Sequence, residues 1–110
     1  MAQPHILLIL TDHWRGDCLG RLGHPVDEMP HIDSLSRQGT TFTRGYTPCP
    51  SCVPARRSLM TGMTPYAQGM VGYQDGKPWN YSHTLAGELQ RAGYQTANIG
   101  KTHFLSLIHI

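Results

Sequence analysis

The stretch His5-Ile6-Leu7-Leu8-Ile9-Leu10-Thr11-Asp12 decides the fold class. Its apolar part, Ile6 to Leu10, is far shorter than the ~20 residues a membrane-spanning helix needs. A continuous run of β-type residues that ends in Asp12 suits a strand buried on both faces, as in a parallel sheet. The expected class is therefore α/β. The run lacks the basic flank and cleavage pattern of a signal peptide. The chain is thus expected to begin almost directly with this strand and to be cytoplasmic.

Working outward, Gly16, Gly20, Gly23, Pro25 and Pro30 mark a long loop. Ile32 and Leu35, with polar residues between them, predict a short helix closed by Gly39. Thr40 to Tyr46 alternates enough to predict a second strand. Pro48, Pro50 and Pro54 each fix φ and remove a donor, so regular structure is excluded until Pro54. Proline is tolerated in the first turn of a helix, and one is expected to run from there through Arg56, Leu59 and Met60 to Gly62. A loop from Thr64 to Ser82 precedes an amphipathic helix from Thr84 to Ala92, with Leu85 and Leu89 on its apolar face and Gly93 as its stop. Tyr94 to Ile99 predicts a third strand. The order strand, helix, strand, helix, helix, strand is that of a layered α/β unit, and no internal repeat is present.

The chain of 110 residues is 39% hydrophobic and 15% charged, which sets one modest globular domain as the ceiling. Nine Lys and Arg against seven Asp and Glu give a formal charge of +2. The basic residues are scattered rather than gathered into a stripe with interleaved aromatics, so nucleic acid is not an expected partner, nor is a membrane. Cys18, Cys49 and Cys52 are an odd, small set, which speaks against a disulfide framework and for a reducing compartment.

Cys52 is the residue with the most chemistry in its surroundings. A thiol at a helix N-terminus feels the positive end of the dipole, and Arg56, four residues on, shares its face. Both favour a thiolate or a bound oxyanion, because backbone N–H groups and a guanidinium converge there. A small buried hydrophobe is the plain alternative for any cysteine. The spacing Cys49-Pro50-Ser51-Cys52 also raises a dithiol redox centre or half of a zinc site. Zinc would need two more ligands, and no second CxxC or paired His follows at finger-like spacing. The strand and aromatic residue expected before a redox CxxC are weak.

Cys52-Val53-Pro54-Ala55-Arg56-Arg57-Ser58-Leu59-Met60-Thr61-Gly62 resembles the sulfatase signature, Cys-x-Pro-x-Arg followed by Thr-Gly. Ile6 to Asp12 resembles the first strand of that family with its metal-binding Asp at the end. Pro30-His31-Ile32-Asp33-Ser34-Leu35, followed by Gly39 and Phe42, resembles its Pro-Asn-Leu-Asp-x-Leu block. Gly93-Tyr94 and Gly100-Lys101-Thr102-His103 resemble later Gly-Tyr and Gly-Lys-x-His elements. Five blocks in order, spanning nearly the whole chain up to Phe104, make the resemblance specific.

The resemblance implies the N-terminal part of an alkaline-phosphatase-like, mostly parallel sheet flanked by helices, spanning residues 1–104. It implies that a maturation enzyme oxidises Cys52 to formylglycine, whose hydrate attacks a sulfate ester. One hydroxyl attacks sulfur and the alcohol leaves; the second lets the sulfated form collapse to aldehyde and inorganic sulfate. Arg56 would orient the formylglycine and offset its charge. Lys101 would contact the sulfate, and His103 would be the base for sulfate release. Asp12, together with the formylglycine from Cys52, would hold calcium or another divalent metal. The substrate would be a sulfate ester of a small molecule or glycan.

Two positions depart from the family pattern. His13 stands where many sulfatases have a second acidic ligand, and since calcium prefers oxygen while imidazole suits other metals, either His13 stands off the ion or His13 is a ligand and the metal is not calcium. Ala55 replaces the commoner Ser, which the Cys-x-Pro-x-Arg recognition pattern tolerates. Hydrolysis of phosphonate monoesters or phosphodiesters, by relatives that share the cysteine motif, is the alternative activity; the Gly-Lys-x-His block favours sulfate. His5, His24 and His83 are expected to be structural or exposed. Leu105-Ser106-Leu107-Ile108-His109-Ile110 equals one reading frame of a transposase end sequence used in shotgun libraries. It is expected to be adapter read-through, with the natural chain continuing past Phe104. The remaining metal ligands would then lie downstream, and the 110 residues alone are expected to be inactive and marginally folded.

Overall fold

The structure is a computed structural model that describes residues 3–25 and 28–104. The expected adapter tail, 105–110, lies outside the described residues. The chain forms two compact units, Met1–Gly45 and Tyr46–Ile110. Among the described residues there are helices but no strand.

That corrects the strands expected at 5–11, 40–46 and 94–99. A strand exists only when its N–H and C=O groups pair with a neighbour, and parallel neighbours need long crossover connections. Among the described residues Ile6 to Leu10 has no such neighbour. Leu7 is 83% exposed and Ile9 72%, in a run whose composition suits burial on both faces. Thr43 and Arg44 form a turn inside the second expected strand.

In the first unit, short 3₁₀ turns at Gly16–Cys18 and Gly20–Leu22 lead to helix α1, Pro30–Gln38. Pro30 opens α1, where its missing N–H costs nothing, and Asp33 in the first turn complements the dipole. The Gly39 N–H closes the helix on the Leu35 carbonyl at 2.9 Å. Arg21 ties the preceding turn to α1: its N–H meets Asp33 Oδ1 at 3.1 Å, and its Nη1 donates to the Ser36 carbonyl at 2.8 Å. Leu19, Leu22, Ile32, Leu35 and Phe42 line an open cavity of about 400 Å³ beside these bonds.

The second unit holds α2, Cys52–Thr61, and α3, Leu85–Arg91, which pack on each other. Ser51 is extended and ends the proline-rich run; Pro54 falls in the first turn of α2, as its sequence position predicts. Gly62 takes the left-handed conformation at φ 68° and returns its N–H to the Ser58 carbonyl at 2.8 Å. Val53 and Met70 are fully buried, with Cys49 beside them as the apolar core. Gln68 crosses under α2, donating to Ser58 Oγ at 3.0 Å and to the Met63 carbonyl at 2.9 Å. The Thr84 hydroxyl caps α3 by accepting from Gly87 N–H at 3.1 Å. Leu89 is half-buried, whereas Leu85, expected on the same apolar face, is 39% exposed. His83 bonds Glu88 Oε1 at 2.6 Å on the surface.

Candidate active site

Cys52 is the first residue of α2 and is partly exposed. The first intrahelical bond of this end runs from Ala55 N–H to the Ser51 carbonyl at 3.0 Å. The N–H groups of Cys52 and Val53 therefore have no acceptor within the helix, and Pro54 brings none. An N-terminus of that kind favours an anion at Cys52. Cys49 and Cys52 are both free thiols; Cys49 is buried, its Sγ directed at the Val71 carbonyl at 3.8 Å.

Arg56 lies one turn along α2, nine-tenths buried. Its Nη1 donates to the Lys101 carbonyl at 2.9 Å, across 45 residues of sequence. The Gly100–His103 block is thereby attached to the helix that starts at Cys52. Gly100 has φ 97° and His103 φ 45°. A left-handed histidine is uncommon and is kept only where the surroundings over-determine it. His103 Nδ1 is buried and has no hydrogen-bond partner among the described residues, so the ring keeps one nitrogen in reserve.

Asp12 and His13 belong to the first unit, where His13 Nε2 stands 3.7 Å from Asp12 Oδ1. His13 has φ 56°; it and His103 are the positive-φ residues other than glycine among those described. A calcium ion takes about 6–8 oxygens. Among the described residues no group of three or more His, Cys, Asp or Glu is assembled that would hold a metal. Asp12 alone does not make up such a site.

Two features escape a reading of the sequence. Arg57 is 1% exposed and uses its whole guanidinium: Nε to the Phe104 carbonyl at 2.8 Å, Nη1 to the Pro78 carbonyl at 3.1 Å, Nη2 to the Lys77 carbonyl at 2.6 Å. It lies over the rings of Trp79 and Tyr81, at 5.6 and 5.8 Å. The second is Tyr73, whose hydroxyl donates to Asp75 Oδ1 at 2.6 Å. That bond pushes the phenol's ionisation up, with smaller contributions from desolvation and from the charges of Asp75 and Cys52. Two aromatics bracketing Asn80 in a Gly- and Pro-rich loop were the only sequence sign of the Arg57 site.

Residues 4–107 match the profile of the family described as Sulfatase. The chain is 46% identical over 101 residues to an arylsulfatase of Clostridium perfringens, covering 92% of this chain and 21% of that protein. It is 39% identical over 102 residues to an ulvan-active sulfatase of Formosa agariphila, covering 93% and 20%. With the multifunctional alkaline phosphatase superfamily protein PehA of Trinickia caryophylli it shares 37% identity over 108 residues, covering 93% and 21%. The chain spans about a fifth of the length of these relatives. No solved structure matches it.

Proposed function

Because the chain belongs to the sulfatase family, we propose that it is the nucleophile-bearing segment of a sulfuric ester hydrolase of its relatives' length. Membership implies the alkaline-phosphatase-like α/β fold, whose sheet would be completed by chain beyond this segment. The observation that carries the reading is the bond from Arg56 to the Lys101 carbonyl. It joins the helix of Cys52 and Arg56 to the block of Lys101 and His103, which the sequence separates.

Cys52 would be converted to formylglycine by a maturation enzyme that reads Cys52, Pro54 and Arg56 and that supplies the two-electron oxidant, oxygen replacing the thiol sulfur, which leaves as sulfide. The helix N-terminus and Arg56 hold the charge of the hydrated side chain, and Lys101 takes the sulfate oxygens. The formylglycine hydrate would supply the nucleophile: one of its hydroxyl oxygens would bond to sulfur as the sulfur–oxygen bond to the alcohol breaks, its proton passing to the departing alkoxide. His103 would then take the proton of the second hydroxyl, the step that lets sulfate leave and the aldehyde return. Asp12 would be one oxygen ligand of a divalent metal, for which calcium suits a carboxylate. The substrate class is a sulfate ester of a small molecule or glycan; similarity to an ulvan-active sulfatase supports the glycan branch.

A second reading, hydrolysis of phosphonate monoesters or phosphodiesters, draws on the similarity to a protein named multifunctional within the superfamily. Turnover of aryl sulfate and aryl phosphonate esters by the full-length protein tests both. Preference for the sulfate is expected; preference for the phosphonate defeats the first reading.

A further inference from the structure

The geometry points to Arg57 as a positioning residue that pins the Lys101–Phe104 segment, and with it the His103 imidazole, against α2. This rests on the reading of His103 as the base of the proposed reaction. Neighbouring side chains on a helix diverge by about 100°. Arg56 and Arg57 nonetheless both reach the same short segment, Arg56 at the Lys101 carbonyl (2.9 Å) and Arg57 at the Phe104 carbonyl (2.8 Å). Thr102 and His103 lie between these two anchors. His103 holds its left-handed φ of 45° inside that span, a conformation that persists only under restraint from its surroundings.

Arg57 is itself held rigidly. A buried guanidinium is tolerated only when its N–H groups are satisfied. Here all three nitrogens donate, to the carbonyls of Phe104, Pro78 and Lys77, and Nη1 also meets the Tyr81 hydroxyl at 3.3 Å. Trp79 lies under the guanidinium and packs on the Phe104 ring, centroids 5.0 Å apart. The same aromatic therefore supports both the donor and the residue whose carbonyl accepts. Lys77 extends the brace, its Nζ bonding the Gly69 carbonyl. Gly69 has φ 62°, and a Cβ there would come 2.8 Å from that Nζ. A planar fork bonding several carbonyls in fixed directions is a task a lysine ammonium does not reproduce.

Arg57 lies outside the residues proposed to direct maturation, so aldehyde formation at Cys52 should be unaffected and the base step weakened. The test uses Arg57→Gln and Arg57→Lys in the full-length protein, with rates expressed per aldehyde-bearing, folded molecule. Steady-state kcat is expected to fall about 10- to 100-fold in Arg57→Gln. The rate and amplitude of the first alcohol release and kcat/KM are expected to stay near wild type, with KM falling alongside kcat, because the nucleophile end is intact and only the later step slows. Arg57→Lys should recover only part of the loss. If Arg57→Gln does not fold, amide exchange in Arg57→Lys takes its place: faster exchange confined to 77–81 and 101–104 supports the assignment, and unchanged exchange there overturns it. An unchanged kcat, or burst and kcat falling together, likewise overturns it. Should the wild type prefer the phosphonate, the sulfate reading fails, and the same comparison on that substrate still decides the role of Arg57.

Discussion

His103→Asn in the full-length protein separates catalysis from folding at the proposed base. Asparagine visits the left-handed region more readily than most residues, so a φ of 45° survives the change. Its amide also puts a polar atom where His103 Nδ1 stands, buried and without a hydrogen-bond partner among the described residues. The burial cost of that polar position is thus much the same in both proteins, and the change in stability is the packing lost with the outer part of the ring. Stability should therefore move by no more than about 1 kcal/mol, small beside a total of about 5–15 kcal/mol. Loss of a general base lowers a rate about 10²- to 10⁴-fold, or about 3–5 kcal/mol of barrier at 1.36 kcal/mol per tenfold. The two effects differ enough to be told apart by urea unfolding and turnover on one preparation. The step affected should be sulfate release, so alcohol would appear in a burst equal to the aldehyde content before turnover stalls. Steady-state turnover within about threefold of wild type would refute the reasoning, because a proton-transfer role cannot be lost so cheaply.

Other outcomes follow from local geometry. Gly62→Ala should destabilise by about 1–2 kcal/mol, since Gly62 is left-handed at φ 68° while a Cβ there meets nothing within 4 Å. Gly72→Ala, also with open space and without a positive φ, is the control and should be neutral or slightly stabilising by urea unfolding. Thr84→Ala should cost about 0.5–2 kcal/mol through loss of the cap on Gly87 N–H, with Thr84→Ser largely restoring it. Glu88 is held below the ordinary carboxylate range, first by its bond to His83 and then by Arg91. A lowered folded pKa means that its contribution is present above the unfolded pKa and is lost as pH falls through the folded one. An NMR titration should place its midpoint below that of an unstructured glutamate, and His83→Gln should raise it.

What the sequence made legible is what short-range chemistry determines. Pro54, Gly62, Thr84 and Gly93 act within one turn of their own position, and the bounds of α2 and α3 follow them. The strands depend on partners far along the chain, and Ile6 to Leu10 finds none among the described residues. At the site, Cys52 at the start of a helix and Arg56 one turn on were legible from spacing. Arg57 was not, because its burial is decided by Trp79, Tyr81 and the Phe104 carbonyl, more than 20 residues away in sequence. The left-handed conformation of His103 was not legible either: histidine is enriched at positive φ, but such residues are a small minority, so its identity alone does not announce the conformation.

The central claim is that Cys52 becomes the reactive group of a sulfate-ester hydrolase. Its most direct test is the mass of the peptide spanning Cys52 after expression with a formylglycine-generating enzyme. Loss of the thiol sulfur and gain of an aldehyde that forms a hydrazone are expected. A thiol that stays free and alkylatable under those conditions would contradict it.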